Sequence, residues 1–439
     1  MKLLRKYTAL GALSAIIFAS SASAQVTAEE MEAAIAAATG DSAFVFNTFL
    51  FLSQGLIVMF MAAGFAMLEA GFVRTKNVST ILLKNISLFS IAGIMYYLVG
   101  YGIMYPGDFN GFVSWSGFLY QPDGGADLAT GYSKMSDWFF QMVFVATAAS
   151  VVSGTVAERI KLWHFLGFVV LLSAIIYPIT GSWQWGGGWL AESNFYDFAG
   201  STLVHSVGGW AALVGAIIIG PRLGKYTDGT TTPLPGSSMP LATLGTFILW
   251  FGWFGFNGGS QLALGSPGDA NAIANIYANT FISAAAGCVA AMLVSQFMYG
   301  KVDLTLALNG VIGGLVSITA GPEYTNLLIP VLIGAIGGVL IPFSVRLLDT
   351  LKIDDVVGAI PAHLVCGIWG TLAVGIFYAD FGIGTQLLGI ISIGAFTVVA
   401  TGIAWYVLNL FGGLRPSEED EMAGLDKSEL GIEAYPEFS

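Results

Sequence analysis

A chain of 439 residues with 55% apolar and only 10% charged side chains excludes an ordinary soluble protein, in which about a quarter of the residues are charged. The formal net charge of -12 argues against a nucleic-acid partner, which calls for a basic surface. The 57 glycines fit close helix packing in lipid, and the two cysteines, Cys288 and Cys366, fall in apolar runs and read as packing residues, not as a disulfide or metal pair.

Residues 1–24 read as a secretory signal peptide, with a retained first span as the alternative. Lys2, Arg5 and Lys6 form a basic start, "LGALSAIIFA" is an apolar core too short to span, and Ala22, Ser23 and Ala24 offer a cleavage site before Gln25. Cleavage would remove three bases and no acids, taking the charge from -12 to -15. It would place the new N-terminus outside the cytoplasm. The acidic, Ala-rich stretch 25–44 then reads as a periplasmic segment forming a short surface helix.

Apolar segments follow at 45–72, 79–104, 136–157, 163–182, 195–220, 240–263, 273–299, 303–320, 326–346, 355–379 and 384–412. Each has about the length a bilayer demands, so the chain reads as an all-α polytopic membrane protein with eleven transmembrane helices. Basic residues test that count. With an outside N-terminus, Arg74, Lys76, Lys84, Arg159, Lys161, Arg222, Lys225, Lys301, Arg346, Lys352, Arg415 and Lys427 all flank inside turns or lie in the tail, and Lys134 alone falls outside. A wrong count would scramble this pattern.

The Pro/Gly/Ser/Thr-rich linker 224–239 divides five spans (45–223) from six. An odd number of spans per half requires the second copy, 240–380, to be inverted, a five-plus-five pseudo-two-fold repeat of the kind that places a transport site at the repeat interface. Residues 381–413 then supply the eleventh helix, and 414–439 a polar, acidic cytoplasmic tail.

Two of the three histidines support the repeat. The fifth span carries "HSVGG" from His205 and the tenth "HLVCG" from His363, both H-x-V-x-G near mid-span. An intramembrane ionisable group is costly and points to function. A pair across a pseudo-two-fold axis could meet in a narrow channel as neutral rings that donate and accept hydrogen bonds. Two buried rings satisfied by backbone carbonyls are the bland alternative. His164, beside Lys161, reads as an interface residue.

Asp197 lies about 12 Å before His205 along a helix. It suits a brace at the helix start, with some attraction for a passing cation. Phe140 and Phe144 share a helix face, as do Phe256 and Ser260, and Trp183, Trp185 and Trp189 cluster in "SWQWGGGWL". These aromatics read either as an interfacial belt, chiefly Trp183 and Trp189, or as a vestibule holding a cation by ring faces. Two histidines without Cys or acidic ligands are too few for a closed metal site, and no nucleophile–base pair or phosphate loop points to an enzyme. No cofactor is called for.

These residues resemble the ammonium transporter (Amt/Rh) family, on the Amt side. The segments "DFAGSTLVHSVGGWAALVGAIIIGPR", "GFAMLEAGFVRTKNV", "VSGTVAERI", "GGGWLA", "GWFGFNGGS" and "PAHLVCGIWG" resemble family segments in family order, as does the tail "GLDKSELGIEAY". The resemblance implies a homotrimer of eleven-span protomers in a bacterial inner membrane, each with its own pore. It implies that Trp185, Phe144 and Ser260 recruit ammonium; that Phe144 and Phe256 close the pore entrance; that His205 and His363 are the twin histidines; that Trp253 lines the pore; and that Asp197 is the structural acid. Ammonium or ammonia is then the substrate, methylammonium an analogue, membrane lipid the surroundings, and the PII nitrogen-regulatory protein a partner at the cytoplasmic face. Leu430 stands where a histidine often stands in the family tail. An ammonium sensor signalling through its tail and a gas channel of the Rh type are the rivals. The lack of an added kinase or cyclase domain speaks against the first, and Trp185 with Ser260 against the second.

Overall fold

In lipid the backbone must satisfy its own hydrogen bonds, so apolar runs of this length have one local solution, the α-helix. A computed structural model describes residues 28–438 except 123 and 228; the expected signal segment lies outside the described residues. Ten helices among these are long and apolar enough to cross a membrane. They are α1 (Ala28–Phe72), α2 (Thr75–Met104), α3 (Lys134–Thr155), α4 (Leu162–Glu192), α5 (Ser201–Ile219), α6 (Met239–Gly259), α7 (Pro267–Tyr299), α9 (Leu328–Thr350), α10 (Ile360–Phe377) and α11 (Ile383–Asn409). The eleventh span, α8 (Leu304–Thr319), has 16 residues, and every one from Leu306 to Thr319 is buried. It runs through the middle of the second half.

Helix starts follow local chemistry. Ser238 caps α6 and is followed by Pro240; Ser266 and Asp269 form a reciprocal capping box on α7, with Pro267 at its start. The side chain of Asp303 accepts from the backbone of Thr305 and Leu306 to cap α8.

The eleven-helix, inverted-repeat reading agrees with this architecture. The first helices of the two halves, α1 and α6, pack along each other, and so do the starts of the fifth helices, α5 and α10. Tight seams need small residues: a Cβ on Gly208 would lie 2.7 Å from the Ala148 carbonyl of α3, and one on Gly209 would lie 2.6 Å from Leu364 Cβ of α10.

Two local expectations change, and the linker gains detail. The stretch after Ala28 is no separate surface helix but runs unbroken into α1. The linker folds into a two-residue hairpin, β1 (Tyr226–Thr227) against β2 (Thr230–Thr231). Lys84 flanks no turn; it sits inside α2 with 1% of its surface exposed.

Charge binds the face that carries the C-terminal tail. Arg222 donates to Asp354 (2.8 Å) and Glu158 (3.1 Å), and Arg74 pairs with the same Glu158. One network therefore ties α1–α2, α3–α4, the end of α5 and the approach to α10. Burial opposes ionisation of Asp354, but its bonds to Arg222 and the charge of Arg159 outweigh burial and hold the carboxyl well below the usual carboxylate range. The tail is docked, not free. Asp426 accepts the backbone N–H groups of Ser79 and Thr80 at the start of α2, and Glu429 accepts that of Leu162 at the start of α4. Acids at helix N-termini suit the helix dipole. Leu430 packs against the main apolar core.

Candidate functional site

On the face opposite the tail, a funnel of about 270 Å3 opens into the bundle, and Trp185, Phe144 and Ser260 all line it. The Trp185 ring stands edge-on to Phe144, with centroids 6.2 Å apart at 88°. Its indole N–H is spent on the Asp197 carbonyl (3.0 Å), which fixes the ring. Ser260 donates its hydroxyl proton to the Phe256 carbonyl (2.8 Å). What Ser260 has left to offer the funnel is oxygen lone pairs, which suit an N–H donor.

Below the funnel, Phe144 and Phe256 stack with centroids 4.0 Å apart, and both are buried. His205 follows, its ring 5.2 Å from Phe256 and 4.8 Å from Trp253. Trp253 is held by a bond from its N–H to the Thr319 hydroxyl (2.8 Å). The two histidines meet: Nδ1 of His363 lies 3.2 Å from Nδ1 of His205, and the rings stack at 5.2 Å. Between two neutral rings that contact needs one donor and one acceptor. The ring that donates from Nδ1 keeps a bare Nε2, and the other must carry its proton on Nε2. The pair therefore always presents one acceptor and one donor away from each other. His205 Nε2 is buried and has no partner.

Both histidines ride on π-helical turns, Ser201–Ser206 and Ile360–Val365, that open α5 and α10. Such turns recur at functional sites. Asp197 is fully buried and accepts the backbone N–H groups of Gly200, Ser201, Thr202 and Leu203 at 2.8–3.0 Å. It thus caps the turn carrying His205. Gly200, at φ 107°, makes the left-handed step between acid and helix. Thr202 and Thr371 bond hydroxyl to hydroxyl (2.7 Å), locking α5 to α10.

All seven expected site residues, together with Asp197, thus form one column from funnel to histidine pair. Trp183 departs from the belt reading, since it is buried and donates to the Phe112 carbonyl (2.7 Å). Two acids at the funnel and at the head of α10 escaped the sequence reading. Asp137 lines the funnel and accepts from the Tyr101 hydroxyl (2.5 Å); it stands one helical turn before Gln141 in "DWFFQMVF". Asp355 accepts from Gly358, Ile360 and Thr155 at the start of α10. It precedes His363 by the same offset that separates Asp197 from His205, a second mark of the repeat that was open to view in the sequence.

The family model of the Ammonium Transporter Family matches residues 48–435. Ammonium transporter Amt2 of Archaeoglobus fulgidus is 41% identical over 416 residues, covering 88% of this chain and 87% of its own. Among solved structures, one named Sensor Amt Protein superposes with a TM-score of 0.81 at 36% identity, covering 87% of this chain and 98% of that one. Mep2 of Candida albicans gives 0.77 at 26% identity, covering 85% and 86%. This chain is a multi-pass membrane protein and belongs to the ammonium transporter family.

Proposed function

We propose that the chain conducts ammonia drawn from ammonium, with the funnel as the outer recruitment site and the histidine pair as the selective passage. One observation carries this reading: a single column runs from Trp185, Phe144 and Ser260 through the Phe144–Phe256 stack to the His205–His363 contact. A cation in the funnel meets aromatic faces, worth about 2 kcal/mol each when desolvated, and the lone pairs of Ser260. Beyond the two rings the path is lined by buried aromatics and imidazoles. A bare ion there costs many kcal/mol and neutral ammonia very little. Ammonium therefore gives up its proton at or above the rings, which must rotate to let ammonia pass. The histidine pair then offers one acceptor and one donor to a molecule that can match both. Potassium has no proton to release and no hydrogen bond to donate, so it is rejected.

The placement of basic residues supports an outside funnel and a cytoplasmic tail; a bacterial inner membrane is the expected location. Three such protomers make the expected assembly, and PII the expected partner at the tail face. The column moves a small molecule and asks of it no bond change beyond the loss of a proton. Replacing Trp185 with leucine should remove the cation–π contact. The half-saturating concentration in methylammonium uptake should rise roughly tenfold, a loss of about 1.4 kcal/mol, with thermal unfolding little changed. An unchanged concentration dependence would remove Trp185 from recruitment.

Sensing is the second reading, favoured by the likeness to the Sensor Amt Protein together with a docked tail. Flux across a sealed membrane separates the two.

A further inference from the structure

Beyond the histidine pair lies a buried acid to which the column gives no part. Glu69, on α1, is 1% exposed and lies within the membrane-spanning part of the helix. A carboxyl there is expensive and points to function. Its Oε2 accepts from the Asn85 side chain (3.0 Å) and the Ser153 hydroxyl (2.8 Å); its Oε1 is buried with no partner. Lys84 of α2 shares Ser153, donating to its carbonyl (3.0 Å), and lies 4.3 Å from the Phe165 ring centroid.

Glu69 also lines a small cavity with His363, Phe65, Ser150 and Asn309. The space open to the centre of a water-sized molecule is about 10 Å3, enough for one water or one ammonia. This cavity lies on the far side of the histidine pair from the funnel, since it is His205 that touches Phe256 and His363 that faces Phe65. The charged and titratable groups facing Glu69 are Lys84 on α2 and His363 on α10; α3 presents Ser150 and Ser153, and α8 presents Asn309.

We propose that Glu69 is the inner proton station of the pore, receiving ammonia as it leaves His363 and re-forming ammonium. The ammonia lone pair takes the proton of the Glu69 carboxyl, the O–H bond breaks, and an N–H bond forms. The carboxylate left behind is held by Asn85, Ser153 and the charge of Lys84. It regains a proton from Nε2 of His363, while His363 Nδ1 takes the proton shared with His205 Nδ1 and the bare Nε2 of His205 takes the one ammonium released at the funnel, so each ring breaks one N–H bond, forms one and stays neutral. Ammonia and proton therefore cross by one column, and no further reactant is needed. This inference rests on the ammonia-conducting reading above.

The test uses the full-length protein in proteoliposomes, with methylammonium-evoked current and methylammonium uptake measured side by side. Glu69→Gln keeps shape and neighbours but carries no transferable proton. It should elute and melt like wild type and lose at least tenfold in current, while uptake falls less, so that charge moved per molecule drops. A merely structural role would lower both together. Wild-type current and charge ratio in Glu69→Gln would overturn the proposal. Should Glu69→Gln fail to fold, Glu69→Asp decides: it keeps the acid but withdraws it from the cavity, so reduced charge per molecule is expected, and an unchanged ratio overturns the role. A wild type that takes up methylammonium without any current sinks the proton station and leaves ammonia conduction standing. A wild type that transports nothing sinks both.

Discussion

Replacing His205 with alanine should abolish either transport or the rejection of potassium. The imidazole fills the space between Phe256, Trp253 and His363, with its ring fully buried. Its loss leaves His363 Nδ1 without the partner it has at 3.2 Å, a penalty of about 1–3 kcal/mol for a buried polar atom. It also leaves a gap the size of a ring between Phe256 and His363. If the gap collapses, the passage closes. If it stays open and admits water, a hydrated cation no longer meets a dry barrier, and discrimination between ammonium and potassium should fall at least tenfold, about 1.4 kcal/mol. Methylammonium uptake at the wild-type rate together with full potassium rejection would remove His205 from the mechanism.

The second large effect is expected at Asp197. Its carboxylate satisfies four backbone N–H groups at the head of α5. Alanine would strand them in a fully buried site and remove the negative charge that complements the helix dipole. Bonds to a charged acceptor are worth about 1.5–3 kcal/mol each and do not add, so a destabilisation of about 3 kcal/mol is expected. Asparagine, which keeps one acceptor oxygen, should lose about half of that. Because the same carboxylate orients the turn bearing His205, and the Asp197 carbonyl holds Trp185, transport should fall with stability. Thermal unfolding in detergent of the two variants against wild type gives the check. An alanine variant melting like wild type would show the cap to be dispensable.

The spans and the histidine pair were legible because a bilayer permits so few solutions. Length marks each helix, most of the basic residues lie near helix ends, and H-x-V-x-G in two of three histidines marks the repeat. Most of the residues that were missed share one cause, partners distant in sequence. Lys84 flanks an apolar run and so looks like a loop cation. Its partners Ser153 and Phe165 lie on other helices, and nothing local announces them. Glu69 sits in the quoted segment "GFAMLEAGFVRTKNV", yet its meaning depends on a cavity shared with His363 on the opposite half of the molecule. The tail looks like a solvated acidic run until Asp426 and Glu429 are seen against the starts of α2 and α4. Asp355 is the instructive exception, because its offset from His363 repeats that of Asp197 from His205 and needed only a comparison of the two halves.

The central claim is selective movement of ammonium-derived nitrogen through one column. Purified protein in sealed proteoliposomes, given matched pulses of ammonium and of potassium, tests it most directly. Ammonium should evoke saturable flux well above protein-free vesicles while potassium evokes none. No flux with ammonium, or equal flux with potassium, would contradict the account.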